Sequence, residues 1–230
     1  MATQAIFQTQ WQTYRKVIDR NYMFHREVYG LLHEILVTEA PQPFRFLDIA
    51  CGDATGSAAA LKETAVARYV GIDLSEQALA LAAETLKPLP CPVTLVQADF
   101  AEALANWSEP VDVVWIGQSL HHLGTDAKGG VMHHVRRILN ANGLFLIWEP
   151  TLSDGEDRDG WLDRFEHGSP PLWPDLDATE WDAMITHVRA SDYPEPVAGW
   201  RALGLNAGFR TAETVFVAPT ELARVYRYRP

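Results

Sequence analysis

From Phe44 onward the chain alternates short apolar runs with segments of helical periodicity, and this alternation limits the fold more than any other feature of the sequence. Runs that are apolar throughout are typical of parallel strands buried on both faces. Five strand–helix units in succession therefore predict a doubly wound α/β sheet. The predicted strands cover 44–50, 68–72, 93–97, 111–117 and 143–149, and the predicted helices cover 55–65, 75–87, 100–106 and 126–140.

The segments on either side of this region predict extensions of a single domain. Residues 5–37 carry apolar and aromatic side chains at helical spacing, and a break at 19–21 leaves open whether they form one helix or two. The region 151–196 is irregular and rich in proline and tryptophan, which predicts an insertion after the fifth strand. Further predicted elements are short helices at 160–167 and 178–189, a helix at 195–207, a helix C-cap at Asn142-Gly143, and strands at 209–217 and 222–229, whose short connection requires antiparallel pairing.

Charge and composition argue against nucleic acid as a partner. The formal net charge is -11, and residues 153–182 hold ten acidic side chains against two arginines. A nucleic-acid binder needs clustered lysine and arginine to displace counterions from phosphates, and the one local cluster here is Arg224, Arg227 and Arg229. The two cysteines, the lack of a secretory pattern after Met1 and the lack of an apolar run of about 20 residues lead us to expect a soluble cytoplasmic protein with no membrane partner.

Small residues follow the first predicted strand, where the backbone turns into a helix. The loop Ala50-Cys-Gly-Asp-Ala54 leads into an alanine-rich helix, so a ligand can approach the main chain closely. Ligands of open parallel sheets bind at this edge, and we expect a nucleotide-like ligand there. The second strand ends at Asp73, about 20 residues beyond the loop, where a carboxylate can accept hydrogen bonds from two ribose hydroxyls. The alternative is that Asp73 only caps the helix that begins near Ser75.

Four segments, in this order, resemble motifs of the class I S-adenosylmethionine-dependent methyltransferases. Leu47-Asp-Ile-Ala-Cys-Gly52 resembles the family's glycine-rich first motif, and Asp73 matches its ribose-binding acid. Gln97-Ala-Asp-Phe100 resembles the adenine-contacting turn after the third strand, and Trp115-Ile-Gly-Gln-Ser-Leu-His-His-Leu123 resembles the fourth motif.

The resemblance covers about residues 44–150 and the closing hairpin. It implies a seven-stranded, mainly parallel sheet in the order 3-2-1-4-5-7-6, with an antiparallel last pair, helices on both faces, an N-terminal helical lid at 1–40 and a substrate-side insertion at 151–196. It also implies S-adenosyl-L-methionine as the cofactor and S-adenosyl-L-homocysteine as its product. Asp99 would accept a hydrogen bond from the adenine amino group while Phe100 packs along the ring. The residues implied to bind the cofactor are Asp48, Ala50, Cys51, Gly52, Asp73, Leu74, Asp99, Phe100, Gly117, Gln118 and Tyr22.

The loop departs from the family pattern at two positions, because Ala50 and Ala54 stand where the family has glycine. The same spacing argues against the main rival, a nicotinamide-dependent dehydrogenase, which needs glycines placed to seat a pyrophosphate at a helix N-terminus. Asp53 adds a negative charge that suits a cationic sulfonium better than a pyrophosphate. Spacing and charge together favour adenosylmethionine.

Methyl transfer from a sulfonium is an in-line displacement, so the protein mainly holds donor and acceptor in line. A general base is needed only if the acceptor must lose a proton. The candidate catalytic residues are His121, which follows the fourth strand, and Glu149, which ends the fifth. The alternatives are that His121 only shapes its loop and that Glu149 is tied to a backbone amide. The candidate substrate contacts are Tyr14, Arg26, His122 and Trp148, with packing as the alternative role of the aromatic ones.

No metal site is expected, since no histidine has carboxylate or cysteine partners at a recognisable ligand spacing. The favoured function is methylation of a small molecule, and the acidic, tryptophan-rich insertion suits a positively charged amine. An acidic loop that is merely solvated would explain the same composition. Two other functions stay open, namely methylation of a protein or an RNA and binding of adenosylmethionine without turnover.

Overall fold

The structure, a computed structural model, describes residues 13–230, in which helices and strands alternate along most of the chain. The strands are β1 (Phe44–Ile49), β2 (Val66–Asp73), β3 (Val93–Gln97), β4 (Val111–Gly117), β5 (Leu139–Leu152), β6 (Glu195–Pro196), β7 (Thr211–Val217) and β8 (Ala223–Arg229). The helices are α1, whose described part covers 13–19, then α2 (His25–Thr38), α3 (Thr55–Leu61), α4 (Glu76–Thr85), α5 (Phe100–Ala105), α6 (Thr125–Ile138), α7 (Arg158–Gly168), α8 (Ala178–Ser191) and α9 (Val197–Asn206).

The strands form one sheet in the order β3-β2-β1-β4-β5-β8-β7, with the two-residue β6 paired to β5 off this path. Neighbours from β3 through β5 run parallel, whereas β8 runs antiparallel to both β5 and β7. The order and the antiparallel last pair confirm the predicted fold class. Because the order reverses between β1 and β4, the carboxyl ends of these two strands border the crevice where such sheets bind ligands.

Alternate side chains of the central strands fill two apolar layers, one on each face of the sheet. In β1, Phe46 belongs to one layer and Leu47 to the other, and Trp115 and Ile116 divide in the same way in β4. All four side chains are at least 99% buried. Burial on both faces explains why the strands appear in the sequence as uninterrupted apolar runs.

The predicted helix at 5–37 is divided in the structure, and its first part lies outside the described residues. Helix α1 ends before a turn in which Asn21 and Phe24 have left-handed backbone angles, with φ of 59° and 66°. Two residues with left-handed backbone angles, only three positions apart, are incompatible with a continuous right-handed helix. The break at 19–21 therefore separates two helices, of which α2 packs on α3 and on the first apolar layer.

One local prediction, the C-cap at Asn142-Gly143, is wrong. Helix α6 ends at Ile138, and β5 begins at Leu139, so Gly143 lies within the strand. A Cβ atom at Gly143 would lie 2.8 Å from the carbonyl oxygen of Asp112, which explains glycine here by close backbone approach.

The insertion after β5 folds into α7 and α8 and packs on α1. Its aromatic side chains form a third apolar cluster, in which Trp173 stacks on Tyr22 and meets Phe165 edge to face. Ion pairs from Lys16 to Glu180 and from Arg20 to Asp175 join the same two regions. The insertion and residues 13–24 are together called the cap below. Among the described residues, no helix is long and apolar enough to cross a membrane.

Candidate functional site

The loop after β1 is held in a conformation that L-residues rarely adopt. Ala50, Gly52 and Ala54 all have positive φ, at 55°, 56° and 57°. Such angles cost a non-glycine residue roughly 1 to 3 kcal/mol each, and they persist where surrounding contacts enforce them. Here the Cys51 N–H donates to the carbonyl of Ile72 at 3.0 Å, and the Ala54 N–H donates to that of Cys51 at 2.9 Å. The two alanines thus keep the turn that glycine gives in the family pattern.

Asp73 connects this loop to the end of β2. Its Oδ2 accepts from the Gly52 N–H at 2.8 Å, and its Oδ1 accepts from the Ser75 N–H at 2.8 Å. The cap of α4 is Ser75, whose hydroxyl accepts from the Ala78 N–H. Asp73 is therefore not the helix cap, and its carboxylate stands at the loop where the ribose was predicted to bind.

Asp99 follows the end of β3 and lies near Asp73, because β3 pairs with β2 and Gln97, the last residue of β3, is the partner of Asp73. The Oδ1 atom of Asp99 caps α5 by accepting from the N–H groups of Ala101 and Glu102. Phe100 begins the same helix and packs partly on the second apolar layer. Leu74 beside them is 64% exposed, which leaves its side chain available to a ligand at this edge.

The first acid of the loop motif, Asp48, is buried beneath the loop. Tyr69 donates its hydroxyl to Oδ2 of Asp48 at 2.6 Å. Desolvation raises the pKa of Asp48 to about 7, against the lowering effect of hydrogen bonds from Ser57 and Tyr69. These contacts are typical of a buried residue that holds the loop in place from the core side.

At the end of β4, the chain turns back on β5. Gly117 leaves just enough room for the ring of Trp115, which would lie 3.3 Å from a Cβ atom. Gln118 then adopts a φ of 55°, and its N–H donates to the carbonyl of Trp148 at 2.7 Å. This turn starts the short helical segment that carries His121 and His122.

Glu149 fixes the orientation of His121. One carboxylate oxygen, Oε1, accepts from the N–H groups of Ser119 and Leu120, at 3.2 and 2.9 Å. The other, Oε2, accepts from the His121 backbone at 3.3 Å and from its Nδ1 at 2.6 Å. A carboxylate can only accept, so Nδ1 carries the proton and the lone pair of Nε2 points away from Glu149. With four donors and no exposed surface, Glu149 acts through His121 and does not contact a ligand directly.

Asp192 faces the free side of His121. Its Oδ1 lies 3.6 Å from Nε2 of His121 and 3.5 Å from Nδ1 of His122. Desolvation raises the pKa of Asp192 and lowers that of His122. Asp192 is far in sequence from both His121 and His122. Neither Asp192 nor the neighbouring His187 was predicted as a site residue. No motif or spacing marks them, because α6, β5 and most of the insertion separate them from His121 along the chain.

These side chains open into a cavity of about 210 Å³ between the sheet edge and the cap. Its walls are mainly apolar and aromatic, and they include Met23, Phe24, Trp161, Phe165, Trp173 and Met184. The polar atoms that reach it come chiefly from His121, His122, His187, Asp192 and Gln118. The cavity is therefore lined mainly by apolar side chains and has one polar wall.

Two of the predicted residues contribute to the cavity from the N-terminal side. Tyr14 lines it, and desolvation, followed by the charges of Asp53 and Asp73, raises the pKa of Tyr14 to about 12. These acids belong to the loop region, so Tyr14 stands between the cavity and the predicted cofactor site. Tyr22 also lines the cavity, but its ring stacks on Trp173 and its hydroxyl bonds to the cap, not to the loop after β1.

Two predicted substrate contacts lie elsewhere. Arg26 is on the exposed side of α2, where its guanidinium donates to the carbonyl of Asp19. Trp148 is 99% buried and packs against His25 and Tyr29 beneath the cavity. Both predictions rested on position along the chain, and the direction of the side chains places them outside the cavity lining.

Residues 46–143 match the sequence model of the methyltransferase domain family. The matched segment runs from β1 to β5 and contains the strained loop, Asp73, Asp99 and His121. The chain is thus similar to this family over 98 of its 230 residues. The resemblance of its loop, Asp73 and Asp99 to the motifs of the class I methyltransferases implies S-adenosylmethionine as the cofactor. Comparison with curated proteins gives no significant match.

Solved structures share the fold of this chain at low sequence identity. An O-methyltransferase family protein from Burkholderia thailandensis is 15% identical, with a TM-score of 0.67 over 92% of this chain and 57% of its own. The calicheamicin-biosynthesis methyltransferase CalO1, bound to S-adenosylhomocysteine, is 18% identical, with a TM-score of 0.57 over 87% and 55%. Mitomycin 7-O-methyltransferase MmcR is 14% identical, with a TM-score of 0.57 over 96% and 60%. The chain thus spans less than two thirds of each of these longer proteins.

The hydrogen-bond acceptors and the apolar side chains of the loop region fit adenosylmethionine. Asp73 and Asp99 offer acceptors at the ends of adjacent strands, and Leu74 and Phe100 offer apolar surface beside them. The positive-φ loop brings backbone rather than side chains to this edge. This edge of the sheet is called the cofactor side below, after the role predicted for its residues, and the cavity is called the acceptor side.

Proposed function

We propose that this methyltransferase transfers the methyl group to a hydroxyl oxygen of a small aromatic or similarly apolar molecule in the cavity. The observation that carries the proposal is the lone pair of His121 Nε2, which Glu149 fixes in place at the polar wall of the cavity. Such a lone pair can take the proton of a hydroxyl group. The printed names of two structural neighbours, an O-methyltransferase family protein and a mitomycin 7-O-methyltransferase, support the same acceptor chemistry.

When bound, adenosylmethionine supplies an already activated methyl group, so the chain has to align the acceptor and remove its proton. Asp73 and Asp99 hold the cofactor at the sheet edge, and the cap encloses the acceptor. Positioning of this kind contributes on the order of 7 to 11 kcal/mol in well-oriented systems. His121 accepts the hydroxyl proton at Nε2 as the oxygen forms its new bond to carbon, and Glu149 stabilises the resulting imidazolium through Nδ1. A positioned base adds roughly 10²- to 10⁴-fold to the rate.

The size of the cavity limits the acceptor. A buried cavity of roughly 150 Å³ already holds benzene in a well-studied case, so about 210 Å³ admits one substituted ring. Trp161, Phe165 and Trp173 provide faces and edges against which such a ring can pack. The small volume of the cavity supports a small acceptor over the side chain of a folded protein or an RNA.

An amine is the second candidate acceptor, and Asp192 is the observation that favours it. Among the described residues that line the cavity, Asp192 is the only acidic one, and it could hold a cationic group. The rest of the acidic stretch supports this less, because Glu156 pairs with Arg164, and Glu166 with Arg189. Those charges are neutralised within the cap instead of facing the cavity.

Methylation of RNA has less support, because two of the three arginines near the end of the chain are paired. Arg227 contacts Glu39 and Glu213, and Arg229 contacts Glu39. They do not form a free basic surface. Cofactor binding without turnover is the other alternative, and the oriented base at the cavity argues for turnover.

The test is a comparison of acceptors that differ only in the reacting group. Phenols, anilines, benzylamines and benzoic acids of one ring are incubated with adenosylmethionine, and adenosylhomocysteine formation is measured. We expect turnover of phenols. Faster turnover of the amines would replace the hydroxyl by a nitrogen acceptor, and turnover of the benzoic acids alone would contradict both. Calorimetric titration with adenosylhomocysteine confirms in parallel that the protein binds the cofactor.

A further inference from the structure

Three atoms converge at the polar wall of the cavity: Nε2 of His121, Nδ1 of His122 and Oδ1 of Asp192. Glu149 takes the Nδ1 proton of His121, which leaves the Nε2 lone pair facing Oδ1 of Asp192 at 3.6 Å. That oxygen is buried and has no hydrogen-bond partner among the described residues. Asp192 as a whole is 94% buried, since its relative exposure is 6%. A buried carboxylate oxygen without a partner is costly unless a cation or a donor completes it.

The geometry points to a divalent transition-metal site formed by His121, His122 and Asp192. The candidate ligand atoms of the three residues all lie within 4.8 Å of one another. Bonds of 2.0 to 2.2 Å place the ligands of a tetrahedral zinc ion roughly 3.3 to 3.6 Å apart. The distances from Asp192 Oδ1 to the two imidazoles, 3.6 and 3.5 Å, match this spacing.

The surroundings of these atoms are those of a metal ligand set. A carboxylate that holds the far nitrogen of a ligating histidine is a common feature of zinc sites, and Glu149 does this for His121. Asp192 is fixed from three sides, because Arg158 donates to its carbonyl at 2.7 Å, its own N–H donates to Val188, and the next N–H donates to His121. Two imidazoles and one carboxylate favour Zn²⁺, Co²⁺ or a similar ion over Mg²⁺.

His122 is the adjustable member of the set. Its Nδ1 also lies 3.2 Å from the carbonyl of Ser191, and its side chain is 39% exposed. Metal binding exchanges that contact for a coordination bond. With three protein ligands, a fourth position stays open towards the cavity, where His187 and the acceptor are the neighbouring groups.

Metal binding at this site inhibits methyl transfer. This consequence rests on the proposed function. A metal on Nε2 of His121 occupies the lone pair that removes the acceptor proton. The two states of His121 exclude each other, so a bound ion of this class inhibits the reaction and a chelator restores it.

The binding experiment uses the chain without a polyhistidine tag, treated with a chelator and titrated with Zn²⁺ by calorimetry. We expect one tight site in the wild type, at least tenfold weaker binding in Asp192→Asn and in the more exposed His122→Gln, and no change in His133→Gln, which replaces an exposed histidine of α6. Co²⁺ in place of Zn²⁺ should give the visible absorption of a four-coordinate site in the wild type and in His133→Gln, and not in Asp192→Asn or His122→Gln. Lack of a stoichiometric site, or equal affinity in all four proteins, would overturn the proposal.

Activity measurements separate this proposal from the preceding one. Zn²⁺ should stop methyl transfer by the chelator-treated wild type at one equivalent. Full activity with zinc demonstrably bound would overturn the inhibitory role. If the metal-free protein methylates no acceptor although zinc binds as described, the proposed function fails and the metal site stands.

Discussion

The cofactor side and the cap of this protein are built in different ways. On the cofactor side, the loop after β1, Asp73 and Asp99 lie at the ends of neighbouring parallel strands and are joined largely by backbone hydrogen bonds. The cap consists of helices joined by aromatic stacking and ion pairs between segments far apart in sequence. The first construction fixes one ligand position by sheet geometry, whereas the second leaves the shape of the cavity to side chains.

The cavity lies where the two regions meet, and its polar wall takes members from both. His121 belongs to the sheet edge, and Asp192 ends the last helix of the cap. If the two regions act separately, changes in the cap should alter the turnover of the acceptor and leave the affinity for the cofactor unchanged. Changes at the loop should alter the affinity for the cofactor and leave the choice of acceptor unchanged. The following variants test this division, from the largest expected effect to the smallest.

Replacing the base should abolish chemistry without affecting the cofactor. We expect His121→Gln to lower kcat by roughly 10²- to 10⁴-fold, because no other group is oriented to take the acceptor proton. Initial rates of adenosylhomocysteine formation measure this, with His133→Gln as the control. Calorimetry should give an unchanged affinity for adenosylhomocysteine. A variant that keeps wild-type kcat would remove His121 from the reaction.

Removing a central ring of the cap should loosen that region alone. Trp173 is 95% buried and contacts Tyr22, Phe165 and Trp181, so Trp173→Ala should cost roughly 3 to 5 kcal/mol. We expect faster hydrogen exchange in 13–24 and 153–192, with exchange in β1 and β4 unchanged. Trp107→Ala, away from the cap, is the matched control. Equal loss of protection in the sheet would show that the two regions do not unfold separately.

The buried acid beneath the loop should make the cofactor side sensitive to pH. The pKa of Asp48 rises from 3.8 to about 7 on folding, so its contribution to stability is full below pH 3.8 and is lost as the pH rises through 7. Between pH 5 and 8 this amounts to about 2 to 3 kcal/mol. Urea unfolding of the wild type and of Asp48→Asn, each at both pH values, measures it. The wild type should lose more stability than the variant on going to pH 8, and parallel curves would contradict the expected shift.

The smallest expected effect is on cofactor affinity. Asp73→Ala should weaken adenosylmethionine binding by about 1 to 3 kcal/mol, or roughly 5- to 150-fold, because two ribose hydroxyls lose their acceptor. Titration calorimetry measures the change, and Glu84→Ala, which replaces an exposed acid of α4, is the control. An unchanged Kd would mean that the ribose binds elsewhere.

Most of the fold could be predicted from the sequence because the determining signals are local. Apolar runs and helical periodicity located nearly every strand and helix, and the short connection at 217–223 required the antiparallel hairpin. The main local error, the C-cap at Asn142-Gly143, arose because the same glycine serves close packing inside a strand. A dipeptide does not distinguish these two causes.

The same distinction applies to the candidate site, where local signals predicted some residues and not others. Asp73, Asp99 and the loop follow strands whose carboxyl ends must meet, so their place could be inferred from strand order. Arg26 and Trp148 were misplaced because helix rotation and strand facing, not chain position, decide where a side chain points. Asp192 and His187 gave no signal at all, since nothing local relates the end of α8 to His121.

The sequence alone determined the parallel sheet, the turn after its first strand and the acids at its edge, because each follows from periodicity and residue type within one strand–helix unit. Only the tertiary structure decided that Glu149 holds His121, that Asp192 faces it, and that the cap closes a cavity over both. These contacts join segments that the sheet and the cap bring together from distant parts of the chain. Their geometry depends on how whole elements pack, and packing is not encoded in any short stretch of residues.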